Sequence, residues 1–223
     1  MVWGLVDPSS FGEFFPNGDY VGWEEAIKRY FDVEMSAEQR AARDNWDVSY
    51  RGDVARKFTE DFGQLEAHER PTEFKLTEPR KSLGSLIELT GRLLAVDTTL
   101  RDVIEALEPG VHQFWPLRIV TPKGKEYPGS YNGLIIRRFL DGFVSEQSEG
   151  FRFTSSTSQF AAADRDTKAG YAGLAFAQDV IAGAHLWRED KLSSPKILMS
   201  DALQAKIAAQ NLRIFKHHKM RVV

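Results

Sequence analysis

The stretch Gly183-Ala-His-Leu-Trp-Arg-Glu-Asp-Lys-Leu-Ser-Ser-Pro-Lys-Ile-Leu-Met-Ser-Asp-Ala-Leu-Gln-Ala-Lys-Ile-Ala-Ala-Gln-Asn-Leu-Arg-Ile-Phe215 carries both regular periods in a single run. His185-Leu-Trp187 reads as a strand, with His185 and Trp187 on one side and Leu186 on the other. Ile197-Leu-Met199 reads as a second short strand. Ser200 then offers its hydroxyl as a helix cap, and Asp201 puts negative charge in the first turn, where the helix dipole favours it. Leu203 and Ile207 supply the buried side. Asn211 is expected to stop the helix before a last strand over Leu212–Phe215. A strand, a capped helix and a strand in this order predict helices packed on a sheet.

The same reading extends upstream. Leu100, Val103, Ile104 and Leu107 fall at i, i+3, i+4 and i+7, with Thr99 and Asp102 as a cap and Pro109-Gly110 as the stop. Phe114–Thr121 is an expected strand, and Pro116 points to an edge or strand-start position because proline has no N–H to donate. Pro122-Lys-Gly-Lys125 is turn-like, so this strand is expected to pair with Tyr131–Leu140 as an antiparallel hairpin. Leu83–Val96 is apolar and fits a helix or a strand equally well. Thr154–Ser158 and the region around Asp164–Lys168 read as loops.

The first third reads differently. Trp23, Ile27, Tyr30 and Phe31 form an apolar helical stripe with charges opposite. Ser36 and Gln39 have capping-box spacing, which opens a second helix running to about Asn45. Residues 64–82, with Pro71, Pro79 and many charges, read as a connector. The expected architecture is therefore α+β: an antiparallel sheet with packed helices and a mainly helical N-terminal third. The expected division is an acidic helical region over 1–75 and an α+β domain over 80–223.

At 223 residues the chain can bury a sizeable core, and its 42% hydrophobic and 27% charged residues are an ordinary globular balance. It has no cysteine, so disulfides, thiolate metal sites and thiol nucleophiles are excluded. No apolar run approaches the roughly 18 residues of a membrane span, and the N-terminus lacks a signal-peptide pattern. A cytoplasmic protein is expected. Charge is uneven: residues 1–70 hold 8 Lys and Arg against 15 Asp and Glu, whereas 71–223 hold 21 against 17. The basic tail Lys216, His217, His218, Lys219 and Arg221 lacks the dense stripe of a nucleic-acid binder.

Catalytic motifs are missing. The chain has no phosphate loop, dinucleotide fingerprint, H-E-x-x-H or G-x-S-x-G. His68 falls in the connector, leaving His112 and His185 as interior histidines. Either they ligate a metal or act as a base, or they are satisfied strand-end histidines bonded to backbone. Phe114-Trp115-Pro116 is an aromatic platform or core packing. Arg137-Arg138 is a phosphate grip or plain surface. Ser82–Ser85 and Gly129–Gly133 are weak as ligand signals. No cofactor, metal or catalytic residue is assigned.

Three blocks in order resemble a family of bacterial immunity proteins of polymorphic toxin systems, first catalogued as a domain of unknown function. They are Thr99–Gly110 with His112-Gln-Phe-Trp-Pro-Leu117, then Tyr131–Leu140, then His185–Arg188 with Ile197–Leu203 and Leu212–Phe215. Together they span about residues 83–219. The chain departs from the family at Asn211-Leu-Arg-Ile-Phe215, where a Thr-Gly pair is common after the leucine.

The resemblance implies a bacterial inhibitor that binds and neutralises a cognate toxin, as in type VI secretion systems, without enzymatic activity. It brings no catalytic residues. For the partner-binding surface, the acidic side chains Glu24, Glu25, Asp32, Glu34, Asp44 and Asp47 are the expectation, because they would steer a basic toxin. Alternatives are a small hydrolase or ligand-binding enzyme that reverses a toxin's modification, and an effector adaptor or chaperone.

Overall fold

The structure, a computed structural model, describes residues 1–41, 49–165 and 167–223. The chain is mainly β. Fifteen strands in three sheets dominate the described residues, and the seven α-helices are short, the longest spanning ten residues. This overturns the expected α+β architecture with a helical N-terminal third. That third opens with strands Val2–Leu5 and Gly18–Tyr20, and its helices Trp23–Arg29, Ala37–Ala41 and Arg51–Arg56 are brief. The apolar stripe from Trp23 is real but covers only two turns. Strands of three or four residues buried on both faces leave apolar runs rather than alternation, and such runs fit a helix as well as a strand. The second helix stops, within the described residues, at Ala41; its expected extension to Asn45 lies outside them.

Contacts divide the chain into two compact units, each gathered from separated stretches. The middle unit comprises residues 10–98 and 113–135. Its sheet runs in the order Gly18–Tyr20, Glu73–Leu76, Gln113–Val120, Tyr131–Ile135, Leu94–Asp97, Leu86–Glu88. All neighbours are antiparallel except Glu73–Leu76 with Gln113–Val120. The stretch read as a connector thus contributes an inner strand. The ambiguous Leu83–Val96 run holds two antiparallel strands joined through a turn at Thr90–Arg92.

The expected hairpin partners do pair, Gln113 opposite Ile135 through Leu117 opposite Tyr131. Pro116 lies in an inner strand, yet beyond the end of Glu73–Leu76, whose pairing begins at Arg118. Its missing donor is therefore lost on the side without a neighbour. Gly133 sits under the indole of Trp115, whose Nε1 donates to the Pro71 carbonyl at 2.7 Å. A Cβ at Gly133 would lie 2.2 Å from that ring, so the close approach demands glycine. Trp115, at the middle of the aromatic run at 114–116, is therefore packed in the core, while Phe114 is half-buried and Pro116 exposed. Trp23, Ile27, Phe31, Val54 and Phe58 close the core against Phe74, Ile87, Trp115 and Leu117. Each such side chain stabilises by about 1.5–3 kcal/mol on burial.

The terminal unit comprises residues 1–9, 99–112 and 136–223. Its larger sheet runs Ala175–Phe176, His217–Val222, Val2–Leu5, Ile197–Ser200, Leu186–Glu189, Phe139–Leu140. The outermost pairs are parallel and the inner ones antiparallel. Val2–Leu5 is central, with Val2 opposite both Ser200 and Met220. Ser200 caps the helix Asp201–Ala209, accepting from Leu203 N, and Asn211 takes a left-handed φ of 53° after it. Leu203 and Ile207 are buried as expected. The last strand is His217–Val222, not the expected Leu212–Phe215, because the chain needs residues 211–216 to return to the far side of Val2–Leu5.

A three-stranded sheet completes this unit in the order Leu192–Ser194, Gln159–Ala162, Phe151–Thr154. Among the described residues, no helix is long and apolar enough to cross a membrane.

Candidate functional site

Helix Trp23–Arg29 continues as one π-turn over Tyr30–Glu34, closed by Met35 N donating to Tyr30 O at 2.7 Å. Trp23, Ile27, Phe31 and Met35 face the core, so Glu24, Glu25, Asp32 and Glu34 all stand on the exposed side. The structure brings these four onto one short segment, and three of them meet cations of the same unit. Arg51 Nε donates to Glu24 Oε1 at 2.9 Å, Arg29 lies 3.5 Å from Glu34, and Lys28 pairs with Asp32. Exposed pairs of this kind contribute about 0–1 kcal/mol each and soften the local field. Asp44 and Asp47 lie outside the described residues.

Behind this segment sits a polar group that sequence reasoning missed. Ala67–Glu69 forms a 3-10 turn with a Glu66–Glu69 capping box, and His68 stacks on Tyr30 with ring centroids 3.5 Å apart. His68 Nε2 lies 2.6 Å from Tyr50 Oη. Burial pushes the His68 pKa below its ordinary value against the opposing pull of Glu69 and Glu66, which keeps the ring neutral near pH 7. Glu69 is buried, and Lys57 Nζ donates to both its oxygens at 2.8 and 2.6 Å. Trp23 Nε1 donates to its carbonyl at 2.7 Å. The group ties the helical segment to the chain 40 residues on. A Glu three residues after a Glu was the one available signal, and it marks a capping box rather than a site.

In the terminal unit, the two interior histidines do meet around one acid, Glu108. Its Oε1 accepts from His185 N at 3.0 Å and Arg138 Nε at 3.1 Å, and its Oε2 accepts from Leu186 N at 2.9 Å. His112 Nε2 lies 2.9 Å from the same Oε2, while Arg137 N donates to His112 Nδ1 at 3.2 Å. That acceptor role places the His112 proton on Nε2. Burial works to raise the Glu108 pKa, but the bonds from His112 and the His185 and Leu186 amides outweigh it and hold the carboxyl below its usual range.

His185 Nδ1 lies 2.8 Å from Ser200 Oγ. A serine, a histidine and a glutamate thus gather without forming a nucleophile triad. The carboxylate grips the backbone of His185 rather than its ring, and Ser200 Oγ is held as a helix cap. The side chains of His112 and Glu108 are 0% and 1% exposed, so a substrate has no approach to them. Arg138 is occupied by Glu108 rather than offered to a phosphate. Among the described residues, no group of three or more His, Asp and Glu is arranged to hold a metal ion. In the tail, His217 and His218 face opposite sides of their strand, His217 against Trp3 and His218 against Tyr171.

Another buried carboxylate of the terminal unit, Glu189, takes N–H donors from Gly142 at 3.0 Å and Phe143 at 3.2 Å. Burial lifts its pKa to about 7, with the backbone donors pulling the other way.

Comparison with known proteins returns one family. The model of an immunity protein family, Imm11, matches residues 27–222. It begins well before the stretch that carried the resemblance in the sequence and includes residues of both units. Among curated proteins nothing matches.

Proposed function

The chain belongs to the Imm11 immunity protein family, and from that membership we propose that it protects a toxin-producing cell by binding the cognate toxin domain one to one in the cytoplasm. The family match over most of the chain is the observation that carries this reading. The sealing of Glu108 and His112 supports inhibition through surface contact over turnover. Protection at low toxin concentration calls for nanomolar affinity, about −12 kcal/mol, which fits an interface of roughly 1,600 Å² centred on a few aromatic or arginine anchors. The exposed acidic segment Glu24, Glu25, Asp32 and Glu34 is the proposed steering surface for a basic toxin.

The test is co-expression with a candidate toxin domain and a survival count, followed by titration of the purified pair. Neutralisation that is complete at one equivalent, and unaffected by His112→Ala and His185→Ala in folded protein, supports stoichiometric binding. Neutralisation by substoichiometric protein, or its loss in those variants with the fold retained, overturns it in favour of catalysis.

A further inference from the structure

The strand Phe151–Thr154 ends the three-stranded sheet, and among the described residues only Gln159–Ala162 pairs with it. Ala163 N donates to Gly150 O at 2.8 Å, so Gly150 and Ala163 form a hydrogen-bonded pair. Antiparallel ladders alternate. Arg152 and Thr154 therefore turn their main-chain groups inward to Ala161 and Gln159, and Phe151 and Phe153 turn theirs outward. The partner strand agrees, since Phe160 N points away from Phe153 and donates to Lys191 O at 2.7 Å. Two N–H and two C=O groups thus line the open side.

The side chains are laid out just as regularly. Phe151 and Phe153 share one face with Phe160, whose ring lies 5.3 Å from Phe151 and 5.2 Å from Phe153. Phe160 in turn packs on Phe143 at 5.3 Å, which anchors the row in the core. Phe153, at its outer end, is 57% exposed. Arg152 projects from the other face, exposed and without an ion pair among the described residues. The connecting turn Ser155–Ser158 is small, polar and exposed.

We propose that this edge docks the cognate toxin by strand addition: an extended toxin segment with alternating apolar and acidic residues pairs along Phe151–Thr154. This rests on the immunity reading and names the surface through which it works. The outward amides and carbonyls supply main-chain bonds, the apolar residues cover Phe153, and the acidic ones meet Arg152. Arginine and aromatic side chains are the usual energetic anchors of interfaces. A second copy of this chain fits less well, because the register that packs Phe153 over Phe151 sets Arg152 directly against Arg152.

The experiment titrates the toxin domain that this protein neutralises in co-expression into wild type, Phe153→Ala, Phe153→Pro and Arg152→Glu, with a thermal melt of each free protein. Proline at 153 removes a donor that faces outward, so no internal ladder bond is lost. Phe153→Ala and Arg152→Glu are each expected to weaken binding roughly tenfold or more, and Phe153→Pro at least as much again beyond Phe153→Ala. Amide exchange on the wild-type pair needs no variant: Phe151 and Phe153 amides slow on complex formation. Wild-type binding with unslowed amides and unaffected variants overturns strand addition and leaves the immunity reading standing. Absence of wild-type binding overturns both. Slowing that grows with protein concentration before toxin is added assigns the edge to a second copy and overturns the proposal.

Discussion

Glu108 and His112, four residues apart, meet at 2.9 Å between Oε2 and Nε2 with both side chains sealed from water. The pair closes a helix end, and the remaining acceptor capacity of Glu108 holds two backbone amides of the strand at His185 and Leu186. His112, a candidate base or metal ligand in the sequence, therefore belongs to a joint between the helix Thr98–Leu107 and a strand 77 residues further on.

Glu108→Gln replaces an all-acceptor group with one that presents a donor to donors. The expected cost is about 2–4 kcal/mol at neutral pH, measured by urea denaturation. Because the folded carboxyl titrates below its usual range, its contribution is present above that range and fades as pH falls through the folded value. The variant should lose that acid-side slope.

Glu189 behaves in the opposite sense. Its folded pKa of about 7 stands above the ordinary 4.5, so the folded state favours the protonated form. The stabilisation is complete below the ordinary value and is lost as pH rises towards 7. The loss is on the order of 3 kcal/mol at about 1.4 kcal/mol per unit. Glu189→Gln should flatten unfolding free energies measured from about pH 5 to pH 8 and raise the value at the upper end.

Two glycines give contrasting outcomes. Gly133→Ala drives a Cβ into the Trp115 indole and should destabilise by about 3 kcal/mol or more, lowering the thermal midpoint or preventing folding. Gly52→Ala, inside the helix Arg51–Arg56 with nothing within 4 Å of the new carbon, should stabilise by about 0.5–1 kcal/mol.

Lysine substitution of Glu24, Glu25, Asp32 and Glu34 together tests steering. The expected result is slower toxin association with a flatter salt dependence in stopped-flow measurements. Stability should shift by no more than about 1 kcal/mol per lost surface pair. Association as fast as wild type removes the steering idea and leaves inhibition intact.

Local features were legible in the residues. The Ser200 cap, the buried Leu203 and Ile207, the Asn211 stop, the Ser36–Gln39 capping box and the pairing of Gln113–Val120 with Tyr131–Ile135 all depend on groups close in the chain. The reading of His112 as bonded to backbone holds for Nδ1, which accepts from Arg137 N, but Nε2 meets the Glu108 carboxylate, a partner that reading did not include. The acidic residues on the outer side of Trp23–Glu34 followed from the stripe of Trp23, Ile27 and Phe31, although their cations did not.

Periodicity and capping are written in neighbouring residues, so the sequence by itself determined helix ends, one hairpin and the family resemblance. Tertiary structure alone decided that Val2–Leu5 is the centre of a sheet, with partners some 200 residues away, and that the protein is mainly β. It also decided that His68 belongs to a packed group and that Phe151–Thr154 is an open edge. The reason is physical: a strand's hydrogen bonds and a charge's burial are completed by groups from elsewhere in the chain, and short strands carry no mark of which partner they will meet.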